Sequence, residues 1–244
     1  MKFNTIIMSD IHLGTPDSKY QQVLDFLKKN TFKNLILNGD IIDGWHIKIF
    51  GKLPIEHRKL LHYIFGLAKN SKVNVYYIKG NHDEFLKRIL PLEAGNFKLL
   101  KDLVYTGLNG KKYYICHGDQ FDKVEGKLFI LSLISFLGGC FLYRLNRIYN
   151  KRRLKKGRKY LSLVKQIKSI AKVMMVGGNN KFYPKLESTA KKQNCQGIIC
   201  GHIHKAENLK IGNIHYLNSG DRVESMTAIT EDLKGNREIL NYNK

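Results

Sequence analysis

Five times along its 244 residues this chain interrupts a short apolar run with a polar cluster rich in Asp, His and Asn. The clusters are Asp10-Ile11-His12, Gly39-Asp40, Gly80-Asn81-His82-Asp83, His117-Gly118-Asp119 and Gly201-His202-Ile203-His204. The runs before them, at residues 2–8, 35–37, 73–78, 112–116 and 197–200, read as β-strands. In an open α/β sheet, ligands gather outside the carboxyl ends of the strands, so clusters far apart in sequence should meet in space. Asp10 with His12, and His202 with His204, stand at i and i+2, which in extended chain turns both side chains to one side. Alone, a histidine at a strand end reads as an ordinary hydrogen-bonded residue, and Asp40 as a helix cap. Five clusters at five strand ends point instead to one shared site.

The donors are imidazole, carboxylate and amide. Thiolates are not among them: the four cysteines are scattered and form no CxxC pair. Such a set suits Mn²⁺, Fe²⁺ or Zn²⁺ better than Ca²⁺ or an iron–sulfur cluster. Two ions need a bridge, and Asp40 is the natural bridging carboxylate. A pair of ions about 3.5–4 Å apart stabilises both the attacking and the leaving oxygen of an in-line displacement. The expected reaction is therefore hydrolysis of a phosphoester or phosphoanhydride by a bridging hydroxide.

Between these strands, residues 20–29 and 57–69 have helical spacing, and Asn109-Gly110 marks a hairpin turn between strands 103–106 and 112–116. Further strands are expected at 214–218 and 226–230. Residues 1–122 and 190–244 thus form an α/β core, and 123–189 a mostly helical insertion. The insertion holds most of the charge. The chain carries 42 Lys and Arg against 20 Asp and Glu, a net +22, yet no acid lies between Glu125 and Glu187. A field of this sign attracts nucleic acid, an anionic membrane or a phosphorylated substrate. Residues 128–143 are uncharged and mostly apolar, shorter than the roughly 20 residues a spanning helix needs. A basic stretch at 144–168 follows. No secretory leader is evident and cysteine is sparse, so a reducing cytosol is expected.

The motifs SDIHLG, NGD, GNHD, CHGD and CGHIHK, in this order, resemble the calcineurin-like metallophosphoesterase signature over the whole core. The resemblance implies a four-layer αββα sandwich with a helical lid. It also implies one metal held by Asp10, His12, Asp40 and His204, and a second held by Asp40, Asn81, His117 and His202. His82 would be the non-ligand histidine acting on the leaving oxygen, oriented by Asp83. A narrower likeness, carried by GDIIDGW (39–45), HGDQFD (117–122), LNRIYNKRR (145–153) and NSGDRVES (218–225), is to the UDP-2,3-diacylglucosamine diphosphatases of lipid A synthesis. It implies release of UMP and a diacylated sugar 1-phosphate, with Asn81, Arg144, Arg147, Arg152 and Arg153 binding substrate and acyl chains lodged near 128–143. The implied place is peripheral, on the inner face of the cytoplasmic membrane. The chain departs from that branch at His82, where Arg is usual, and at Arg222, where Trp is usual. The other reading is a nuclease whose basic segment tracks a phosphate backbone. A greasy run beside the cations points away from it.

Overall fold

The computed structural model describes residues 1–70, 72–121, 149–153, 155, 157, 182–223 and 225–242. The chain divides into two compact units, residues 1–121 with 185–244, and residues 122–184. The first unit is built on two sheets. Seven strands lie in the order β12-β11-β1-β2-β3-β5-β4. They are β1 (Lys2–Met8), β2 (Thr31–Asn38), β3 (Asn74–Ile78), β4 (Leu92–Ala94), β5 (Phe97–Leu100), β11 (Thr227–Glu231) and β12 (Arg237–Asn241). Five more follow the order β6-β7-β8-β10-β9. These are β6 (Leu103–Thr106), β7 (Lys112–Ile115), β8 (Gly197–Cys200), β9 (Ala206–Ile211) and β10 (Ile214–Ser219).

Side-chain alternation along the central strands creates two cores from one sheet. Leu35 and Leu37 of β2, with Val75 and Tyr77 of β3, pack beneath helices α1 (Tyr20–Lys29) and α3 (Ile55–Asn70), against Val23, Leu27, Leu60 and Ile64. Ile36 and Ile78 point the other way, onto Ile115, Ile199 and Leu217 of the second sheet. Both faces of β1, β2 and β3 are therefore buried, which is why their sequences read as unbroken apolar runs. Helix α4 (Phe182–Lys192) buries Leu186 and Ala190, and its Glu187 accepts a bond from Asn213 N in the β9–β10 turn. The result is the expected α/β sandwich of two sheets with helices. One boundary differs: α4 runs through the expected junction at 189–190, and from Lys185 on its residues belong to the first unit.

Strands β1, β2 and β3 are parallel neighbours, as are β7 and β8. Their carboxyl ends bring the five polar clusters to one edge of the sandwich.

In the second unit, residues 149–153 are helical. The Arg153 guanidinium lies 5.6 Å from the Tyr149 ring centre, and Arg152 is exposed. Arg144, Arg147 and the apolar run 128–143 lie outside the described residues, as does most of the expected lid. Among the described residues, no helix is long and apolar enough to cross a membrane.

A candidate dimetal centre

The turns that carry the clusters are stitched to one another through the backbone. Asp10 N donates to Gly39 O, His12 N to Asp40 O and Asp43 N to Leu13 O, at 2.8–3.0 Å. Gly201 N donates to His117 O at 2.8 Å, joining the turns after β7 and β8. Side chains add cross-links: His82 N donates to Asp40 Oδ1 at 2.8 Å and His202 N to Asp10 Oδ2 at 3.1 Å. Seven described non-glycine residues adopt a left-handed backbone, and five of them are Asp10, His12, Asp40, His202 and His204. Asp and His tolerate this region better than most residues, and such strain gathers at functional sites. Close approach also requires glycine: a Cβ on Gly39 would collide with the His117 ring, and one on Gly80 with the Asp40 carboxylate.

These turns gather three groups whose donor atoms lie within 4.8 Å of one another. They are Asp10–His12–His204, Asp40–His117–His202 and His12–Asp40–His82. Asp40 belongs to both the second and the third group, as a bridging ligand would. Four lone-pair atoms, Asp10 Oδ1, His12 Nε2, Asn81 Oδ1 and His117 Nε2, are buried without a hydrogen-bond partner. Leaving such atoms unpaired is costly unless a cation meets them. The donor set fits two divalent metals.

The imidazoles are fixed through their other nitrogens. His117 Nδ1 donates to Asn38 O at 2.9 Å, leaving Nε2 3.2 Å from Asp40 Oδ2. His12 Nδ1 meets Asp43 Oδ2, and His204 Nδ1 meets Asp221 Oδ2, each at 3.2 Å. A partner on Nδ1 selects the tautomer whose Nε2 can ligate. Burial alone would raise the Asp40 carboxyl, but His117, His82 and His12 hold it well below the usual carboxylate range.

His82 was expected to lean on Asp83. Its partner is Asp43 instead: Nδ1 lies 3.0 Å from Asp43 Oδ2, while Nε2 lies 4.0 Å from Asp40 Oδ2. Trp45 packs against the ring, with centroids 4.6 Å apart. Burial pulls the imidazole down, yet Asp43 and Asp40 keep its pKa raised. Asp83 is fully buried and braces the turns. It accepts from Tyr77 Oη and Ile42 N at 2.8 and 2.9 Å, and from Ile41 N and Gly80 N at 3.2 and 3.3 Å. Sequence reasoning quoted Asp43, Trp45 and Asp221 within its motifs but gave them no role. An acid three residues after a ligand Asp was the available signal.

Arg222, the unusual residue beside the site, is fully buried. Its Nη1 donates to Ser219 O and Asp221 O, and its backbone N to Asp10 O.

A cavity of about 610 Å³ opens against His82. Ile42, Trp45, Ile47, Leu53 and Phe85 give it a mostly apolar wall.

The sequence profile of the calcineurin-like phosphoesterases matches residues 3–206. The chain belongs to this family. Among solved structures it is similar to an archaeal phosphodiesterase, at 15% identity and TM-score 0.46 over 97% of this chain and 98% of that one. It is also similar to a predicted phosphoesterase from Streptococcus pneumoniae TIGR4, at 16% identity and TM-score 0.39 over 98% and 97%. A third is wild-type Vps29 from Entamoeba histolytica complexed with Zn²⁺, at 14% identity and TM-score 0.46 over 98% and 99%. No curated protein matches the chain in sequence.

Proposed function

We propose that the protein is a pyrophosphohydrolase of a lipid-linked nucleotide, with UDP-2,3-diacylglucosamine or a close relative as substrate and Mn²⁺ as the working metal. The observation that carries this reading is the apolar cavity against His82, a size suited to a small-molecule site. A substrate with its phosphates at the Asp/His cluster could lay an apolar chain along Trp45, Ile47 and Phe85. Each methylene buried there contributes about 0.8 kcal/mol to binding. Asn81 lies at the cluster, and Arg144, Arg147, Arg152 and Arg153 are the further phosphate-binding residues of this reading, Arg forks being well matched to phosphate. The enzyme would work at the anionic inner face of the cytoplasmic membrane.

Asp10, His12, Asp40 and His204 would hold one metal, and Asp40, Asn81, His117 and His202 the other. Bound there, the ions supply Lewis-acid polarisation of the phosphoryl oxygens and an activated water. The chain supplies the rest. Asp43 pins His82 Nδ1, so Nε2 faces the cluster and can give a proton to the departing phosphate oxygen. Asp43 and Asp40 raise the His82 pKa, which favours the protonated form a general acid needs. Trp45 packs against the imidazole.

Purified protein with Mn²⁺ should release UMP from UDP-2,3-diacylglucosamine and act far more weakly on UDP-N-acetylglucosamine, which lacks the chains. Asp40→Ala should reduce release to background. No UMP from the lipid, together with cleavage of single-stranded DNA, would sink the lipid reading in favour of a nuclease.

A further inference from the structure

Large apolar side chains are exposed at thirteen described positions, and five of them cluster in two short segments, 49–55 and 85–89. They are Ile49, Phe50 and Ile55, and Phe85 and Ile89, each between 47% and 72% exposed. Both segments border the cavity, since Ile47, Lys48, Leu53 and Phe85 line it. On α2 (Gly44–Phe50), Phe50 follows Ile47 by three residues and continues that wall outward. In the 3₁₀ turn Glu84–Ile89, Arg88 stands above Phe85, because side chains three apart eclipse. An isolated exposed leucine needs no explanation, but a collar of five exposed Ile and Phe in two segments that border one cavity does.

The collar is cationic. Lys48, Lys52 and Arg88 border it, and among the described residues none of them is paired with a carboxylate. The acids of these segments are already engaged: Glu84 by Lys79 and Lys87, and Glu56 by Lys59. Apolar side chains framed by unpaired cations match an anionic lipid surface, where hydrocarbon takes the former and headgroups the latter. We propose that this rim is where the protein docks on an anionic phospholipid membrane, so that the cavity mouth opens at the acyl–headgroup boundary. Contact at the rim does not depend on which phosphoester is cleaved.

Trp45 lines the cavity and is the only tryptophan in the sequence, which makes it a native depth probe. The full-length protein would be mixed with phosphatidylcholine vesicles containing brominated phosphatidylglycerol, with flotation and Trp45 fluorescence both followed. The expected result is flotation with anionic vesicles and not with pure phosphatidylcholine, accompanied by quenching of Trp45. Phe50→Ser with Ile55→Ser should weaken flotation about tenfold or more, since less apolar surface then enters the bilayer. Lys48→Glu with Lys52→Glu should weaken it similarly and reduce its salt dependence. Phe65→Ser, an exposed aromatic on α3, should change neither readout. Flotation without quenching, or rim variants that float like wild type, would place membrane contact elsewhere and overturn the proposal. So would rim variants that abolish self-association in sedimentation while leaving flotation unchanged, because the rim would then be an interface between copies.

Discussion

The turn after β2 and the turn after β3 begin alike and finish differently. Each offers a candidate ligand, Asp40 in one and Asn81 in the other, and each adds a buried acid within three residues, Asp43 and Asp83. Asp43 spends its Oδ2 on two imidazoles, His12 and His82. Burial would raise it, but the hydrogen bonds from His12 and His82 hold its carboxyl well below the ordinary range. Asp83 meets neutral donors only. Burial, with the charge of Asp40 beside it, pushes its carboxyl up to about 6. The lesson is that proximity to a metal centre does not assign a role. The donors each carboxylate meets make Asp43 part of the chemistry and Asp83 part of the scaffold.

Substitutions can break this contrast. The largest effect should come from Asp83→Ala, which strands Tyr77 Oη and the N–H groups of Ile41, Ile42 and Gly80. Each stranded buried donor costs about 1–3 kcal/mol, so the urea midpoint of the metal-free protein should fall steeply. An unmoved midpoint would end the scaffold assignment. His82→Ala should come next, lowering turnover by about 10²–10⁴-fold while elemental analysis still finds both metals. Loss of a metal in that variant would make His82 a ligand. Asp43→Asn should have the smallest effect, about 10–100-fold in activity or metal affinity. Asn can still cap α2, where Asp43 Oδ1 accepts from His46 N, so the urea midpoint should barely change. Equal midpoint losses in Asp43→Asn and Asp83→Ala would erase the distinction between the two turns.

The convergence of the polar clusters was legible because imidazole and carboxylate at strand ends have few other uses, and because β1, β2 and β3 are buried on both faces. The role of Asp43 was hidden by its second occupation as the cap of α2, which GDIIDG announces just as well. Helix α2 was missed because it has only seven residues, starts with glycine and buries none of them. Strands β9 and β12 were missed for another reason. Each closes one edge of its sheet, and AENLKI and REILN are half exposed, so they lack the apolar run that marks a central strand.

The left-handed backbone at five candidate ligand positions has a consequence for natural variation. A β-branched residue at Asp10, His12, Asp40, His202 or His204 would clash with its own backbone before any question of metal arose. Asn, Asp, His and Gly are the residues that such a conformation accepts readily. Descendants that abandon catalysis should therefore drift within this small alphabet and keep the turns intact. In such a lineage the loss of chemistry would appear as Asp-to-Asn or His-to-Gly exchanges on an unaltered fold, and seldom as Val or Ile.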